Sequence, residues 1–407
     1  MDPTYSEEAE SFRSRISSFL KENLPEGWTG VGQFDREEAT AFVSEWRQKL
    51  AANSLLAPAW PAKYGGGGLS ELEQVILAEE FRKAGAPVGS ENDVFGIQMV
   101  GNTILHWGTE EQKEYFLPRI ISGEHRWCQG YSEPNAGSYL ANLACKAVLD
   151  GDEWIINGQK IWTSAGQTAN WIFVLCRTDA DAAKHRGISF LLCPMEQDGV
   201  EVRPIEMMNG DADFNETFFT DARTAKENVI GEVNGGWGVA MTLLGYERGE
   251  AAATTPISFR GEFDKLVRLA KEHGKDTDPV IRDRLAAVYS KVEVMRLMGM
   301  QTLTKFLNGG QPGPGESTFK LYWSEYHKEV TELAVDILGA AAMTPDGIAK
   351  TSFAVDLPGA ANDAASWVGT FYNARAGTIY AGTSQVQRNI IGEMVLGLPK
   401  EPKPLKA

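Results

Sequence analysis

The sequence predicts a multidomain α+β chain in which helices come first, a β domain sits in the middle and helices return. Two changes in the spacing of apolar residues carry that expectation, together with length. Up to Gly123 apolar residues recur three and four apart. From about Glu124 to Gly236 they gather into short runs rich in β-branched and aromatic residues, and beyond "NGGWG" the helical spacing resumes. A chain of 407 residues can bury a large core and favours two or three structural units. The expected limits are 1–123, 124–236 and 237–407.

In the first segment Phe12, Ile16, Phe19 and Leu20 share one helical face, as do Phe42, Trp46 and Leu50. "TEEQ" at Thr109 to Gln112 has the spacing of a capping box, and "FLPRIISGE" stops at Gly123. In the middle segment "WIFVLCR" and "GISFLLCP" read as strands, with "DGD" and "NG" as turn signals around "EWII". In the last, Phe319, Tyr322, Tyr326, Val330, Leu333 and Ile337 line one side of a long helix, and "NGGQPGPGES" reads as an exposed loop.

Composition narrows the function. With 39 Lys+Arg against 55 Asp+Glu the net charge is −16, which repels nucleic acid and anionic lipid at long range, so an anionic substrate needs a local basic patch. The opening "MDPTYSEEAESFRSRISSFLKENLPEGW" is acidic where a signal peptide is basic, and no apolar run reaches the ~18 residues of a membrane span. A cytoplasmic protein without a membrane span is expected. Cys128, Cys145, Cys176 and Cys193 form no CxxC pair and only five histidines are present, so buried free thiols and no metal site are expected. "YGGGGLS" lacks the Lys-Ser/Thr of a phosphate-binding loop, and "DADFNE" has Glu216 where a calcium loop needs glycine. Both read as turns.

Two stretches point to chemistry. "CQGYSEPNAGSYLANL" offers Ser132 and Ser138 on either side of a Pro-Asn-Ala-Gly turn, and Gly137 allows close backbone approach, a cradle suited to a phosphate or a polar ring edge. An ordinary polar turn has the same appearance. "GQKIWTSAGQTANW" sets Trp162 beside Thr163 and Ser164 at the end of a strand, where an indole and two hydroxyls can cover a planar heterocycle or simply belong to the core.

In order and spacing, "HWGTEEQKEYFLPRIISGE", "GYSEPNAGS", "NGQKIWTSAG" and "YAGTSQVQRNIIGEMVLGLP" resemble the acyl-CoA dehydrogenase family over nearly the whole chain. The resemblance implies an N-terminal helical domain, a middle β-barrel or sandwich domain and a C-terminal four-helix bundle. It implies FAD as cofactor, an acyl-CoA substrate desaturated to a trans-2-enoyl-CoA, and an electron-transfer flavoprotein as electron acceptor. Carried over, Gln129, Tyr131, Ser132, Gly137 and Ser138 match contacts to the flavin and pyrophosphate, Ser138 also lying near the acyl-CoA. Trp162, Thr163 and Ser164 match the isoalloxazine contacts. Thr383 and Gln385 match flavin contacts of the G-T-[SA]-Q core, and Gly382 lines the thioester.

Departures are as informative. Many family members carry the proton-abstracting carboxylate at the position of Ala381, which here keeps only the backbone N–H that polarises the thioester carbonyl. In members resembling isovaleryl-CoA dehydrogenase and bacterial steroid-side-chain enzymes the base precedes an Arg on another helix, and "LLGYERGEAAATTP" supplies Glu247 before Arg248. Glu247 is therefore the expected base, Glu250 the fallback, and Arg248 the support for CoA or for the glutamates. Without the resemblance a Glu-Arg pair reads as a solvated ion pair.

The family's G-S-D reads Gly137, Ser138, Tyr139, its Q-I-[LF]-G-G segment reads "DILGA" from Asp336 to Ala340, and no R-x-x-F-G occurs in "LAKEHGKDTDPVIRDRL". In the family's homotetramers the last two segments hold the adenosine half of a neighbour's FAD, so an α2β2 heterotetramer stands beside a homotetramer as the expected assembly. Two other readings remain open on sequence: a flavin oxidase or monooxygenase of the same fold, and a non-catalytic partner subunit.

Overall fold

The computed structural model describes residues 6–246, 249–307, 316–346 and 357–400, without the side chains at 246, 249–254, 306–307 and 316. Glu247, Arg248 and most of the "NGGQPGPGES" stretch lie outside the described residues, as does the side chain of Glu250. The helices are α1 (Glu7–Asn23), α2 (Arg36–Ala52), α3 (Glu71–Ala84), α4 (Glu91–Asp93), continued by a π-helical turn Val94–Gly101, α5 (Asn102–Trp107) and α6 (Glu110–Ser122). Strands follow: β1 (Trp127–Gly130), β2 (Lys146–Asp150), β3 (Glu153–Lys160), β4 (Trp171–Arg177), β5 (Ile188–Pro194), β6 (Val200–Ile205), β7 (Phe214–Ala225) and β8 (Val229–Ile230). Helices then return as α7 (Gly236–Tyr246), α8 (Gly249–Glu272), α9 (Pro279–Leu307), α10 (Glu316–Leu338), α11 (Ala364–Ala376) and α12 (Ser384–Ile390). This is the helix, sheet, helix order that the spacing of apolar residues predicts.

By its internal packing the chain forms two compact units, one of residues 1–39, 71–86 and 248–407, the other of 40–70 and 87–247. The second contains the sheet, ordered β6-β7-β3-β2-β4-β5-β8 with β1 paired to β4. Most neighbouring strands are antiparallel; β1 with β4, and one residue pair between β2 and β4, run parallel. That pattern excludes the parallel dinucleotide-binding sheet. Strands β4 and β5 are buried nearly throughout, which is why "WIFVLCR" and "GISFLLCP" are continuous apolar runs and do not alternate.

One layer of the β core contains Trp154, Ile156, Val174, Leu191 and Phe219 together with all four cysteines. The thiols are free and buried; burial pushes the Cys193 thiol up to about 12. Helix α6 opens with the expected capping box between Thr109 and Gln112 and stops at Gly123. The "DGD" stretch is the β2–β3 hairpin turn, whereas "NG" at Asn157–Gly158 runs on within β3, Asn157 facing a bulge at Thr220–Asp221 of β7. A Cβ on Gly158 would come within 2.7 Å of the Cys145 backbone, so close approach of β2, and not chain reversal, requires the glycine.

In the other unit α8, α9, α10 and α11 surround a core of Phe259, Leu266, Val292, Met295, Tyr326, Val330, Leu333 and Trp367. Of the α10 stripe, Phe319, Tyr326, Val330, Leu333 and Ile337 are buried and Tyr322 is partly so. Helices α1 and α3 pack together, α1 burying Phe12, Ile16 and Leu20, while Arg13 bridges Glu79 at 2.9 Å and Glu80 at 2.6 Å.

Candidate active site

Within the sheet unit, β1 runs along the buried β4 and delivers Gln129, half-buried, then Tyr131, whose ring meets Phe173 and Phe190 edge-on at 5.9 and 6.3 Å. The chain then reverses. Glu133 and Ala136 exchange backbone hydrogen bonds of 3.2 and 3.0 Å around Pro134 and Asn135. This tight turn leaves Ser132 half-buried and Gly137, Ser138 and Tyr139 exposed. A Cβ at Gly137 would meet nothing within 4 Å, so nothing among the described residues requires a glycine there.

A fully buried lysine holds the turn from below. Lys160, the last residue of β3, donates to a Glu133 carboxylate oxygen at 2.8 Å and to the Tyr131 carbonyl at 3.2 Å. The Glu133 carboxylate also accepts from the backbone N–H groups of Ala144 and Cys145 at 2.6 and 2.9 Å. Paired and hydrogen-bonded in this way, the two charges can persist without water. The Ser132 carbonyl accepts from the Ile161 N–H at 2.9 Å, which ties the loop to the residue that follows β3. Sequence reasoning missed the pair, although Lys160 falls on the same inward parity of β3 as Trp154 and Ile156.

Immediately beyond, Trp162 takes a left-handed backbone conformation (φ +62°) and Ala165 another (φ +56°). For residues with a Cβ such conformations cost of order 1 kcal/mol or more and persist only where neighbours enforce them. The enforcing contacts are exchanged hydrogen bonds between Thr163 and Asn215, at 2.9 and 3.0 Å. The Trp162 indole is 55% exposed, touching Phe214 edge-on at 5.8 Å. Such an indole, beside the half-buried Ser164, suits stacking on a planar heterocycle. Thr163 is fully buried and its hydroxyl accepts from Thr217 at 3.1 Å. It anchors the strained turn, leaving Ser164 as the outward hydroxyl of the triplet.

Within the helical unit, the segment after α11 carries a separate group of the expected residues. Ala381 is left-handed (φ +49°) and Gly382 follows at φ +90°, where a Cβ would sit 2.5 Å from the Gln387 amide nitrogen. Thr383 caps α12, its hydroxyl accepting from the Val386 N–H at 3.1 Å, and Gln385 is exposed. The Ala381 carbonyl accepts from Gln387 Nε2 at 2.8 Å, and the Gly382 carbonyl from Lys320 Nζ at 2.7 Å. Among the described residues the N–H groups of Ala381 and Gly382 meet no acceptor. Backbone donors held in this way are what a developing oxyanion requires.

The fold defines an oxidoreductase scaffold, and the chain belongs to the acyl-CoA dehydrogenase family. Profiles of the family's N-terminal, middle and C-terminal domains match residues 6–124, 128–222 and 234–396. The chain is 40% identical to acyl-CoA dehydrogenase IpdE1 of Mycobacterium tuberculosis over 402 residues, covering 98% of this chain and 100% of that one. It is similar to the solved Tcur3481-Tcur3483 steroid ACAD, at 32% identity and a TM-score of 0.80, covering 98% of this chain and 100% of that one. It is also similar to the ChsE4-ChsE5 complex from Mycobacterium tuberculosis, at 32% identity and a TM-score of 0.77, covering 98% and 100%. The protein is thus an oxidoreductase that acts as an acyl-CoA dehydrogenase. Among the described residues no helix is long and apolar enough to cross a membrane, and no cluster of metal-ligating side chains occurs.

Proposed function

We propose that the chain is an FAD-dependent acyl-CoA dehydrogenase that converts a bulky, polycyclic acyl-CoA into its trans-2-enoyl-CoA, with Glu247 as the base and an electron-transfer flavoprotein as acceptor. The observation that carries the reading is the left-handed Ala381–Gly382 turn, whose carbonyls are tied by Gln387 and Lys320 while its N–H groups are unpaired among the described residues. An α-thioester proton is weakly acidic, and hydrogen bonds from the Ala381 N–H to the carbonyl oxygen stabilise the charge that develops as the proton leaves. Bound FAD supplies the acceptor for the β-hydrogen, as a hydride.

The other residues bind and orient. Trp162 covers one face of the ring system, with Ser164 as a polar contact and Thr163 beside them contributing through its backbone or hydroxyl. Gln129, Tyr131, Ser132, Gly137 and Ser138 form the loop for the flavin and pyrophosphate, and Ser138 also borders the acyl-CoA. Thr383 and Gln385 contact flavin, Gly382 lines the thioester, and Arg248 supports CoA or the glutamates. The exposed face of the Trp162 indole, set beside Ser164 by strained backbone, supports the cofactor assignment. For the acyl group, support comes from the likeness to a solved steroid ACAD. For assembly, a heterotetramer with a second chain of the family is favoured over a homotetramer. The altered segments at Asp336–Ala340 and Leu269–Leu285 support it, as does the likeness to the two-component ChsE4-ChsE5 complex. A cytoplasmic location accords with these roles.

A panel of straight, branched and steroidal acyl-CoAs, assayed without oxygen and with a dye acceptor, tests the reading. Dye reduction greatest with steroidal thioesters is expected. Oxygen consumption in place of dye reduction makes the protein an oxidase, and a preparation that carries no yellow flavin and oxidises nothing makes it a partner subunit.

A further inference from the structure

We infer that Lys320 and Gln387 are positioning residues for thioester polarisation: together they clamp the left-handed turn that presents the Ala381 N–H. The inference rests on the proposed role of that N–H and adds what holds it. A non-glycine residue in the left-handed region is disfavoured by roughly 1–3 kcal/mol, so the surrounding structure must supply restraint. Here the restraint is specific. Lys320, on α10, reaches both ends of the segment, donating to the Gly377 carbonyl at 2.8 Å and the Gly382 carbonyl at 2.7 Å. Gln387, on α12 and almost fully buried, donates to the Ala381 carbonyl between them at 2.8 Å.

A trans peptide carries its C=O and N–H on opposite sides. Fixing the Ala381 carbonyl therefore fixes the Gly382 N–H on the other side, and fixing the Gly382 carbonyl sets the next plane. The Ala381 N–H belongs to the preceding plane, which lies between two fixed ones: the Tyr380 N–H is tied to the Ala376 carbonyl at 3.1 Å on one side and the Ala381 carbonyl to Gln387 on the other. A further bond supports the segment, from the Ser384 N–H to the Thr378 carbonyl at 2.9 Å. The steric tightness of the site agrees, because a Cβ at Gly382 would strike the amide of Gln387 itself. Lys320 supplies no proton and touches no reacting atom. Its task is to keep a donor aimed where charge develops, where a small misdirection is expensive.

The test uses the flavin-loaded protein and cinnamoyl-CoA, whose conjugated thioester absorbs at longer wavelength when its carbonyl is polarised. The parent is expected to bind it with a red-shifted band. In Lys320→Met the shift should fall by about half or more and kcat by about tenfold, with KM moving by less than roughly twofold, the pattern of an interaction made mainly in the transition state. Lys320→Arg, which keeps the donors, should restore part of both. Gln387→Leu is the second variant. It also removes an amide oxygen that has no partner among the described residues, so the fold should tolerate it, and it should give an intermediate shift. Should Lys320→Met not fold, that variant alone decides. If the parent shifts the band and the folded variants shift it equally, the clamp is wrong while the role of Ala381 stands. If the parent binds the probe without any shift, the role of Ala381 fails and the clamp with it.

Discussion

Replacing Lys160 with Met removes one charge from beneath the Glu133–Ala136 turn while keeping most of the side-chain volume. The lysine is fully buried and its ammonium is 2.8 Å from Glu133, itself buried. Breaking such a pair from one side leaves an uncompensated charge and costs about 3–5 kcal/mol. Glu133 retains its hydrogen bonds from Ala144 and Cys145, which places the expected loss near the lower limit, about 3 kcal/mol. The double variant Lys160→Met/Glu133→Gln is neutral and should lose less, about 1–2 kcal/mol. A chain of two units need not unfold in one transition. Hydrogen exchange of peptides spanning residues 127–160, read by mass spectrometry against urea, therefore measures the loss locally. Flavin retention should fall with it in the single variant, because the Tyr131 carbonyl loses its donor. Equal losses in the single and double variants, or a single-variant loss below about 1 kcal/mol, would refute the reasoning.

Trp162→Ala should weaken flavin retention by ~1–3 kcal/mol while changing the stability of the apoprotein by less than about 1 kcal/mol, since the exposed indole packs edge-on against Phe214. Dialysis equilibria and urea midpoints, measured side by side, check the contrast. His125, packed among Tyr115, Phe116 and Trp171, is pushed down to about 4 from an ordinary 6.5 by burial. Its folded pKa lies below its unfolded one, so the unfolded chain binds the extra proton between those values and stability falls as pH drops through that window. About 2 kcal/mol is at stake after allowance for solvent screening. His125→Phe should flatten that part of the stability curve, and an unchanged slope would assign the acid sensitivity elsewhere.

Local signals in the sequence decided much of the fold. The capping box at Thr109 and the α10 stripe are short-range patterns whose physics is complete within a few residues, and both stand as read. Where a signal depends on what lies across the sheet it misleads. Asn157–Gly158 has turn chemistry, yet the strand runs on, because Cys145 lies so close that only a glycine fits. Thr163 follows the motif, yet strand geometry turns its hydroxyl inward to Thr217. The supports of the candidate site were illegible for the same reason. Lys160 and Glu133 are 27 residues apart, and Lys320 and Gly382 are 62 apart. No spacing rule joins them before the chain has folded. The left-handed backbone at Trp162 and Ala381 is equally a product of tertiary contacts, because neither residue type favours it.

The central claim, that Glu247 is the base in place of a carboxylate at Ala381, is tested most directly by the anaerobic rate of flavin reduction in Glu247→Gln mixed with an acyl-CoA that the parent oxidises. The substitution keeps size and polarity and removes basicity. Acyl-CoA binding should persist while reduction slows by ~10² or more, the usual contribution of a positioned base. Flavin bleaching as fast as in the parent would contradict the account and make Glu247 a surface ion-pair residue.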